Sequence, residues 1–594
     1  MRHAAVLLLV ACLAVPVLAD EPVPGETWMR YTDVRQAGFD PAKLEAARQS
    51  WEELPSSAFM VVADGSVVAA WGDVSRRFMC HSVRKSFLSA LYGIYWDRGE
   101  VDLNKTLFDL GIDDTPDPLL EVERQARILD LLKARSGIFH PAAYAGRTDS
   151  APRGSKGSGR YFAYNNWDFN TLATILIEET GEDVFEAFDR YFGQALGMED
   201  WRVTDGYYHY ERDKSRYPAY PFRLSARDAA RFGLLFAREG LWGGERILSK
   251  HWVRRSSALY SIDDEVWGYG FMWWVSREPR FERHGMYSAL GVGNQMIAVL
   301  PDSGLVIVNR ANTYAGERTP GGRLRDLVAQ VLDARVGEVE PQPSLAPLEV
   351  GEREGVTTVD ADRLKEFRGR WNYPADPLDL AKRTWVRLDV GDGHLVSYSP
   401  VSGTFKLYLQ PDDSFREEDS LEVYYPVRST DGAFGGIADA GSIVTASLVA
   451  TASGHSKRGA ELLKLVAQDD SLAVATGRAV VELVRGKPER AEKALRELID
   501  ERGARAVERS LNFGGYQFLG NGLGEAARDV FALNTRLFPE SARAWDSLGE
   551  AHMQLGAHAE AIRCYEKSLT YDADNDNAAA MIAKMRQEVV ESAE

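Results

Sequence analysis

The first half of the chain is best understood from residues 81–99, whose sequence is HSVRKSFLSALYGIYWDRG. Apolar residues such as Phe87 and Leu91 recur here at a spacing near 3.6, which predicts a helix that begins at Ser82. Ser82 and Lys85 stand three positions apart, and residues i and i+3 share one face of a helix. We therefore expect Lys85 to reach the Ser82 hydroxyl from one turn further along.

The pattern Ser-x-x-Lys occurs once in the chain, at Ser82 and Lys85. A serine hydroxyl is a poor nucleophile until a base takes its proton, and a lysine whose pKa is lowered by burial can be that base. The start of a helix adds free N–H groups and a positive dipole end, which suit a developing oxyanion. The four letters alone also fit a plain alternative, in which Ser82 caps the helix and Lys85 is a solvated charge.

Strand patterns lie on both sides of this helix. The β-branched runs 60–62 and 67–68 flank Asp64-Gly65, a favoured hairpin turn. Further on, the apolar runs 296–300 and 305–308 are joined by Pro-Asp-Ser-Gly, which predicts a second hairpin. Hairpins at both ends with helices between them predict an α/β domain built on an antiparallel sheet.

Several segments of this domain resemble the serine hydrolases related to class C β-lactamases and penicillin-binding proteins. They are residues 81–99, VDLNK at 101–105, LDLLKARSG at 129–137, YNN at 164–166, LSARD at 224–228 and FG at 232–233. The resemblance spans about residues 60–312 and implies a β-lactamase-like serine hydrolase domain, to which we assign residues 20–335.

The resemblance also implies roles for individual residues. Ser82 would attack a carbonyl and form an acyl-enzyme, with Lys85 as the general base. Tyr164 and Asn166 match the family's Tyr-x-Asn motif on a loop that faces the nucleophile. Tyr164 would share the proton transfer, and Asn166 would orient Lys85 or hydrogen-bond the acyl group. Whether Lys85 or Tyr164 is the base stays open.

The third family motif departs from the usual pattern. The equivalent segment, 288–295, has the sequence SALGVGNQ and resembles a branch that includes 6-aminohexanoate-dimer hydrolase and several esterases. Leu290 stands where a hydroxyl is usual, and no cation takes the place of the lysine of Lys-Thr-Gly. Backbone N–H groups at Gly291 or Val292 would complete an oxyanion hole with that of Ser82. The departure counts against recognition of a substrate carboxylate, as in penicillins.

Other candidate residues have plainer interpretations. His284 and His140 are expected to be structural, and residues 267–274, WGYGFMWW, predict an aromatic strand with one or two rings at a pocket. The sequence contains no metal-ligand cluster, phosphate-binding glycine loop or nucleotide fingerprint. We therefore predict a reaction without a metal or organic cofactor.

Composition limits the class of protein. The 594 residues carry a formal net charge of −18, which argues against a nucleic-acid partner. No apolar run is long enough for a transmembrane span. Residues 1–19 have a short basic start, an apolar middle and small residues before Asp20, which predicts a signal peptide and a periplasmic or secreted protein. Lipid attachment at Cys12 is the less favoured alternative, because the apolar stretch continues beyond it.

Three segments follow the first domain. The proline- and glutamate-rich residues 336–358 predict a linker, and the alternating Val, Tyr and Leu of 359–455 predict a small β domain that resembles lipocalin-like domains. Residues 456–594 are helical in composition, and Gly, Ala and aromatic residues recur there 34 positions apart. That is the period of the tetratricopeptide repeat, and the helices in 461–501 would cap the stack.

These observations predict a multidomain protein with an α/β domain, a small β domain and a C-terminal α-helical repeat domain. The function that fits best is an exported serine hydrolase of an ester or small amide. One alternative is a β-lactamase or D-alanyl carboxypeptidase. Another is a weakly catalytic scaffold whose repeat binds a protein or peptide partner. Cys80 and Cys564 lie in different predicted domains, so we expect no disulfide between them.

Overall fold

The structure is a computed structural model that describes residues 23–145, 151–351, 358–373, 384–399, 403–420, 422–428, 433–573 and 575–591. The chain divides into two compact units, residues 1–353 with 401–403 and residues 354–400 with 404–594. The predicted signal peptide, with Cys12, lies outside the described residues. Within the described ranges, no helix has both the length and the apolar character needed to cross a bilayer. Cys80 and Cys564 are both buried and free.

The first unit is built on a ten-stranded sheet with two small two-stranded ribbons. Its strands are β1 Met29–Tyr31, β2 Ala58–Ala63, β3 Ser66–Gly72, β4 Phe78–Met79, β5 Arg223–Leu224, β6 Leu241–Trp242, β7 Glu245–Arg246, β8 Ser261–Ile262, β9 Trp267–Tyr269, β10 Trp274–Ser276, β11 Tyr287–Gly291, β12 Gln295–Leu300, β13 Leu305–Arg310 and β14 Leu345–Pro347. The order across the large sheet is β14-β1-β3-β2-β13-β12-β11-β10-β9-β8. Its strands pair antiparallel except for β1 and β3.

Both predicted hairpins are confirmed. β2 pairs antiparallel with β3 around Asp64 and Gly65, which have positive φ angles of 49° and 90° and so form the expected tight turn. β12 pairs with β13 from Leu300↔Leu305 to Met296↔Asn309. The predicted α/β domain on a largely antiparallel sheet is therefore confirmed as well.

Helices cover both faces of the large sheet. They are α1 Pro41–Glu52, α2 Arg84–Asp97, α3 Ile128–Leu132, α4 Asn166–Thr180, α5 Val184–Phe188, α6 Ala226–Ala237, α7 Lys250–Ser256, α8 Pro279–Glu282 and α9 Gly321–Ala334. Met60 and Val62 of β2 belong to the core that contains α2, α4 and α6. Phe59 and Val61 belong to the opposite core, with α1 and α9. Because both faces are buried, β2 is apolar throughout instead of alternating.

The structure differs from the prediction within the proposed linker, 336–358. Leu345–Pro347 forms the edge strand β14, and its register with β1 runs from Met29↔Pro347 to Tyr31↔Leu345. A proline is tolerated at the edge of a sheet because an edge strand needs only half of its ladder hydrogen bonds. The prolines of this segment therefore do not indicate a linker without secondary structure.

The second unit begins with a seven-stranded, barrel-like antiparallel sheet. Its strands are β15 Gly369–Tyr373, β16 Thr384–Val390, β17 Leu395–Ser399, β18 Gly403–Leu409, β19 Phe415–Glu417, β20 Val423–Arg428 and β21 Phe434–Asp439, in that order across the sheet, with the short helix α10 Ala361–Leu364 before them. Leu388, Leu407 and Phe415 lie in its core. A helix begins at Ala440, inside the stretch predicted to be β, because Asp439 caps it by accepting the Ser442 N–H at 2.9 Å and the run 440–452 is rich in alanine.

The rest of the second unit is helical, as predicted. Its helices are α11 Ala440–Ala452, α12 Ser456–Leu465, α13 Leu472–Val484, α14 Pro488–Arg502, α15 Ala504–Gly520, α16 Gly524–Leu537, α17 Ala542–Gln554, α18 His558–Tyr571 and α19 Asp576–Glu591.

Close packing within each pair of helices explains the 34-residue recurrence. A Cβ atom on Gly515 would lie 2.2 Å from the Phe531 ring, and one on Gly549 would lie 3.1 Å from the Tyr565 ring. A residue without a side chain therefore faces an aromatic ring in both copies.

Candidate active site

Ser82 lies in a tight turn between β4 and α2. Residues His81–Val83 form a single 3₁₀ turn, and α2 begins at Arg84, two residues later than predicted. His81 has a φ of +49°, which is uncommon outside glycine. Both of its ring nitrogens have partners, since Nδ1 lies 2.9 Å from Tyr144 OH and Nε2 lies 2.8 Å from Thr313 Oγ1. These two contacts hold the backbone immediately before Ser82.

Lys85 reaches Ser82 as its spacing predicts. Its Nζ lies 2.7 Å from Ser82 Oγ and 2.5 Å from Tyr164 OH. The side chain is only 1% exposed. Burial is the main cause that lowers the pKa of the Lys85 amine well below its usual value, and the neighbouring Arg84 charge lowers it further.

Tyr164 is positioned by the residue that follows it and by aromatic packing. Asn165 caps α4, because its Oδ1 accepts the Trp167 N–H at 2.9 Å. The Tyr164 ring stacks on Trp274 with centroids 5.5 Å apart and packs against Phe169 at 5.1 Å. The phenol is thus directed at Lys85 by neighbouring residues of its own segment and by Trp274, which is 110 positions away in the sequence.

Asn166, the first residue of α4, also lines the site. Its Nδ2 donates to the Tyr144 carbonyl at 3.1 Å, and none of its described contacts is with Lys85. Its Oδ1 is buried and has no hydrogen-bond partner among the described residues. Of the two roles predicted for Asn166, the geometry favours contact with a bound group, because a free acceptor lies at the cavity wall.

Gly291 and Val292 stand beside the nucleophile at the end of β11. A Cβ atom on Gly291 would lie 2.4 Å from Cys80 O and 3.1 Å from Ser82 N, so only glycine lets the strand approach this closely. Val292, which is 38% exposed, follows in the turn toward β12. Gly291 is thus brought next to the backbone of Ser82, and Val292 follows it at the cavity wall.

Ser82 opens into a cavity of about 790 Å³. Its described lining residues are His81, Ser82, Arg84, Tyr144, Ala145, Tyr164, Asn166, Glu211, Lys214, Asp263, Asp264, Trp267, Trp274, Leu290, Gly291, Val292 and Arg318. The predicted aromatic strand is in fact two strands, β9 and β10, which begin with the lining residues Trp267 and Trp274. Positive φ at Met272 marks the turn that joins them.

His140 and His284 are not among the described residues that line this cavity. His140 is buried with Nδ1 3.9 Å from Asp114 and Nε2 3.9 Å from Glu123. His284 Nδ1 lies 2.6 Å from Ser303 Oγ. The contacts given for both rings lie outside the candidate site.

Three lining residues close to the nucleophile were not assigned from the sequence: His81, Tyr144 and Arg84. Burial is the main cause that lowers the pKa of His81 to about 3, so its imidazole is neutral. Tyr144 lies over the guanidinium of Arg84, whose Cζ is 5.4 Å from the ring centroid. The available clue was position, because His81 directly precedes the motif and Arg84 lies within it, on a helix that is buried along most of its length.

The assembled groups match the needs of acyl transfer through a serine ester. They are a hydroxyl nucleophile, an amine with a lowered pKa within hydrogen-bond distance, a phenol on that amine and backbone donors beside the nucleophile. Within the described residues, no group of three or more His, Cys, Asp or Glu side chains is arranged to hold a metal ion.

Comparison with known proteins gives matches in both units. Residues 42–330 match the family model described as Beta-lactamase, and residues 542–575 match that of the tetratricopeptide repeat.

Among solved structures, a candidate 6-aminohexanoate-dimer hydrolase from Bacillus anthracis is 18% identical, covering 48% of this chain and 80% of that one, with a TM-score of 0.37. A β-lactamase from Mycobacterium bovis is 18% identical over 48% and 97% of the two chains, with a TM-score of 0.35. EstCE1, a hydrolase with promiscuous acyltransferase activity, is 16% identical over 51% and 100%, with a TM-score of 0.36.

Proposed function

Because residues 42–330 form a domain of the β-lactamase family, we propose that this protein is an exported serine hydrolase of an ester or small amide. One observation carries the proposal: Lys85 Nζ lies within hydrogen-bond distance of both Ser82 Oγ and Tyr164 OH at the wall of an open cavity. A buried amine in this position is a base for the hydroxyl, not a solvated charge.

Acylation follows from this geometry. Ser82 Oγ attacks the substrate carbonyl carbon while its proton passes to the Lys85–Tyr164 pair, which gives a tetrahedral oxyanion. The oxyanion collapses, the bond to the leaving alcohol or amine breaks, and the pair returns a proton to the leaving group. Water then attacks the acyl-Ser82 ester with the same pair as base, and the carboxylic acid product departs. Deacylation regenerates the Ser82 hydroxyl.

The oxyanion is stabilised by backbone groups. Ser82 N lies next to the end of β11, since a Cβ on Gly291 would be only 3.1 Å away from it. We assign the second donor to the backbone at Gly291 or Val292, whose residues line the same cavity. Fixed backbone dipoles beside a cavity stabilise a developing charge without reorganisation, and one such donor is worth roughly 10²–10³ in rate.

The residues that line the cavity around Ser82 favour an ester or simple amide over a β-lactam as the substrate. Leu290 lines the cavity on β11, where penicillin-recognising relatives carry a hydroxyl and a nearby lysine. Trp267 and Trp274 add aromatic surface, which suits an apolar acyl or leaving group. Asn166 Oδ1 is available to accept a hydrogen bond from a substrate amide or hydroxyl.

Hydrolysis of p-nitrophenyl butyrate by wild type and by Ser82→Ala tests the proposal, with nitrocefin as a second substrate. Ser89→Ala is a matched control, because Ser89 is a buried serine on the same helix whose hydroxyl has no described hydrogen-bond partner. We expect Ser82→Ala to abolish ester turnover and Ser89→Ala to retain it. Equal rates for wild type and Ser82→Ala would refute the serine mechanism. Ser82-dependent nitrocefin cleavage would favour the β-lactamase alternative.

Two further proposals concern the ends of the chain. Export rests on residues 1–19 and is tested by the mass of the N-terminal peptide of protein recovered from the periplasm or medium, where cleavage after Ala19 is expected. The repeat at 542–575 supports binding of a protein or peptide, which is a common use of stacked helical pairs.

A further inference from the structure

Arg84, the residue immediately before Lys85, is a buried cation whose described partners are all uncharged. Its side chain is 1% exposed. Nη1 donates to the His81 carbonyl at 3.2 Å, and Nη2 donates to Asn170 Oδ1 at 3.4 Å. Its Cζ lies 4.8 Å from the Tyr220 ring centroid, and its Nε has no hydrogen-bond partner among the described residues. No carboxylate of the described residues forms an ion pair with Arg84.

Apart from Tyr164, the other titratable side chains described around the pair place no negative charge in contact with it. The Glu211 carboxylate lines the same cavity, but it pairs with Lys214 and accepts the Tyr144 N–H. Burial raises the pKa values of the Tyr220 and Tyr269 phenols and lowers that of His81 to about 3, so all three side chains are uncharged at neutral pH. Asp168 of α4 precedes Phe169, whose ring centroid is 4.8 Å from Lys85 Nζ. Burial raises the pKa of Asp168 well above its usual value, and its Oδ1 accepts a hydrogen bond from Ser136.

Two adjacent cations buried without a counter-ion cannot both stay charged, and only one of them can release a proton. An arginine remains protonated in proteins, whereas a buried lysine gives up its proton readily. The rings of Tyr164 and Phe169 attract an ammonium group at Lys85, but that attraction is smaller than the desolvation of a fully buried charge. Arg84 and Lys85 contact consecutive residues of α4, Asn170 and Phe169, so the two groups lie close together. The charge of Arg84 therefore adds to the effect of burial in favouring the neutral form of Lys85.

We propose that Arg84 is a positioning residue of the site, a buried cation without a counter-ion that holds Lys85 as the free amine. The inference rests on the proposed function, because the free amine is the form that takes the proton of Ser82. It also explains why a permanent charge is placed at the first residue of a buried stretch of α2.

The first test is the pH dependence of kcat/KM for p-nitrophenyl butyrate in wild type, Arg84→Gln and Arg84→Lys. Removal of the cation should move the acid limb of the Arg84→Gln profile upward by roughly one pH unit or more, with activity recovered at alkaline pH. A lysine at position 84 can itself lose its proton when buried, so it keeps only part of the cationic effect. The acid limb of Arg84→Lys should therefore lie between those of wild type and Arg84→Gln.

Arg231→Gln is the control for loss of a buried arginine, because Arg231 is fully buried but pairs with Glu199 away from the cavity. It should lower the melting temperature without moving the acid limb. An unmoved limb in folded Arg84→Gln, or an equal shift in Arg231→Gln, would overturn the proposal.

A second readout does not depend on turnover. Lys85 is neutral in the folded state and protonated when unfolded, so the stability of wild type relative to Lys85→Met should rise with pH between the folded and unfolded pKa values. In the Arg84→Gln background this rise should begin at a higher pH, because the folded pKa is higher. This rise is measured from melting temperatures across pH for wild type, Lys85→Met, Arg84→Gln and the double variant with both substitutions. If Ser82→Ala leaves ester hydrolysis unchanged, the proposed function fails, while these melting curves still decide the role of Arg84.

Discussion

Gly291→Ala tests how closely β11 must approach the nucleophile Ser82, because the substitution adds a steric contact without straining the backbone. The backbone of Gly291 has φ −141° and ψ 164°, an extended conformation that alanine adopts freely. The added Cβ, however, would lie 2.4 Å from Cys80 O and 3.2 Å from His81 Cβ. The substitution therefore acts only by forcing β11 and the turn before Ser82 apart.

The size of the effect follows from that distance. Ordinary carbon–oxygen contacts are about 3.3 Å, so the two segments must separate by roughly 0.9 Å. A displacement near 1 Å at reacting groups costs about 100-fold in rate, equivalent to ~2.7 kcal/mol of transition-state stabilisation. We expect kcat for p-nitrophenyl butyrate to fall by about this factor, with a smaller change in KM because the cavity walls remain.

Steady-state kinetics with thermal unfolding in parallel is the appropriate assay. Overpacking of this kind lowers the free energy of unfolding by about 1–3 kcal/mol, so the variant should still fold. Gly322→Ala is the matched control, because Gly322 lies in α9 with open space around it. Alanine there should be neutral or slightly stabilising. A folded Gly291→Ala that keeps kcat within threefold of wild type would refute the assignment of β11 to the oxyanion site.

Three further predictions concern the site and each unit. Tyr164→Phe removes the hydroxyl that contacts Lys85 but keeps the ring packing, so kcat should fall by roughly 10²-fold or more while the melting temperature stays unchanged. An unchanged kcat would contradict a role of Tyr164 in proton transfer. The Asp228 carboxylate accepts hydrogen bonds from the backbone N–H groups of residues 199–201. Asp228→Asn should therefore lower the free energy of unfolding, measured in urea, by about 2–4 kcal/mol, and a smaller loss would show that water replaces the missing acceptor. Gly515→Ala should lower the free energy of unfolding by about 1–3 kcal/mol, because its Cβ meets the Phe531 ring. The double variant with Phe531→Leu should recover part of that loss, whereas losses that simply add would argue against contact between the two residues.

The amino-acid sequence by itself determined the features that depend on short-range patterns. The spacing of Ser82 and Lys85 on one helix face, the hairpin around Asp64 and the 34-residue recurrence all survive in the structure. Each follows from local geometry, because helix and strand periods and turn conformations are properties of a few consecutive residues.

Only the tertiary structure decided which distant residues complete the site. Tyr164 reaches Lys85 across 79 positions of sequence, and Gly291 meets Ser82 at the end of a strand more than 200 residues later. The uncompensated burial of Arg84 and the recruitment of Leu345–Pro347 into the sheet were equally invisible. The physical reason is that burial, counter-ion distance and strand pairing are set by what packs against a residue, and that is fixed only when remote segments meet.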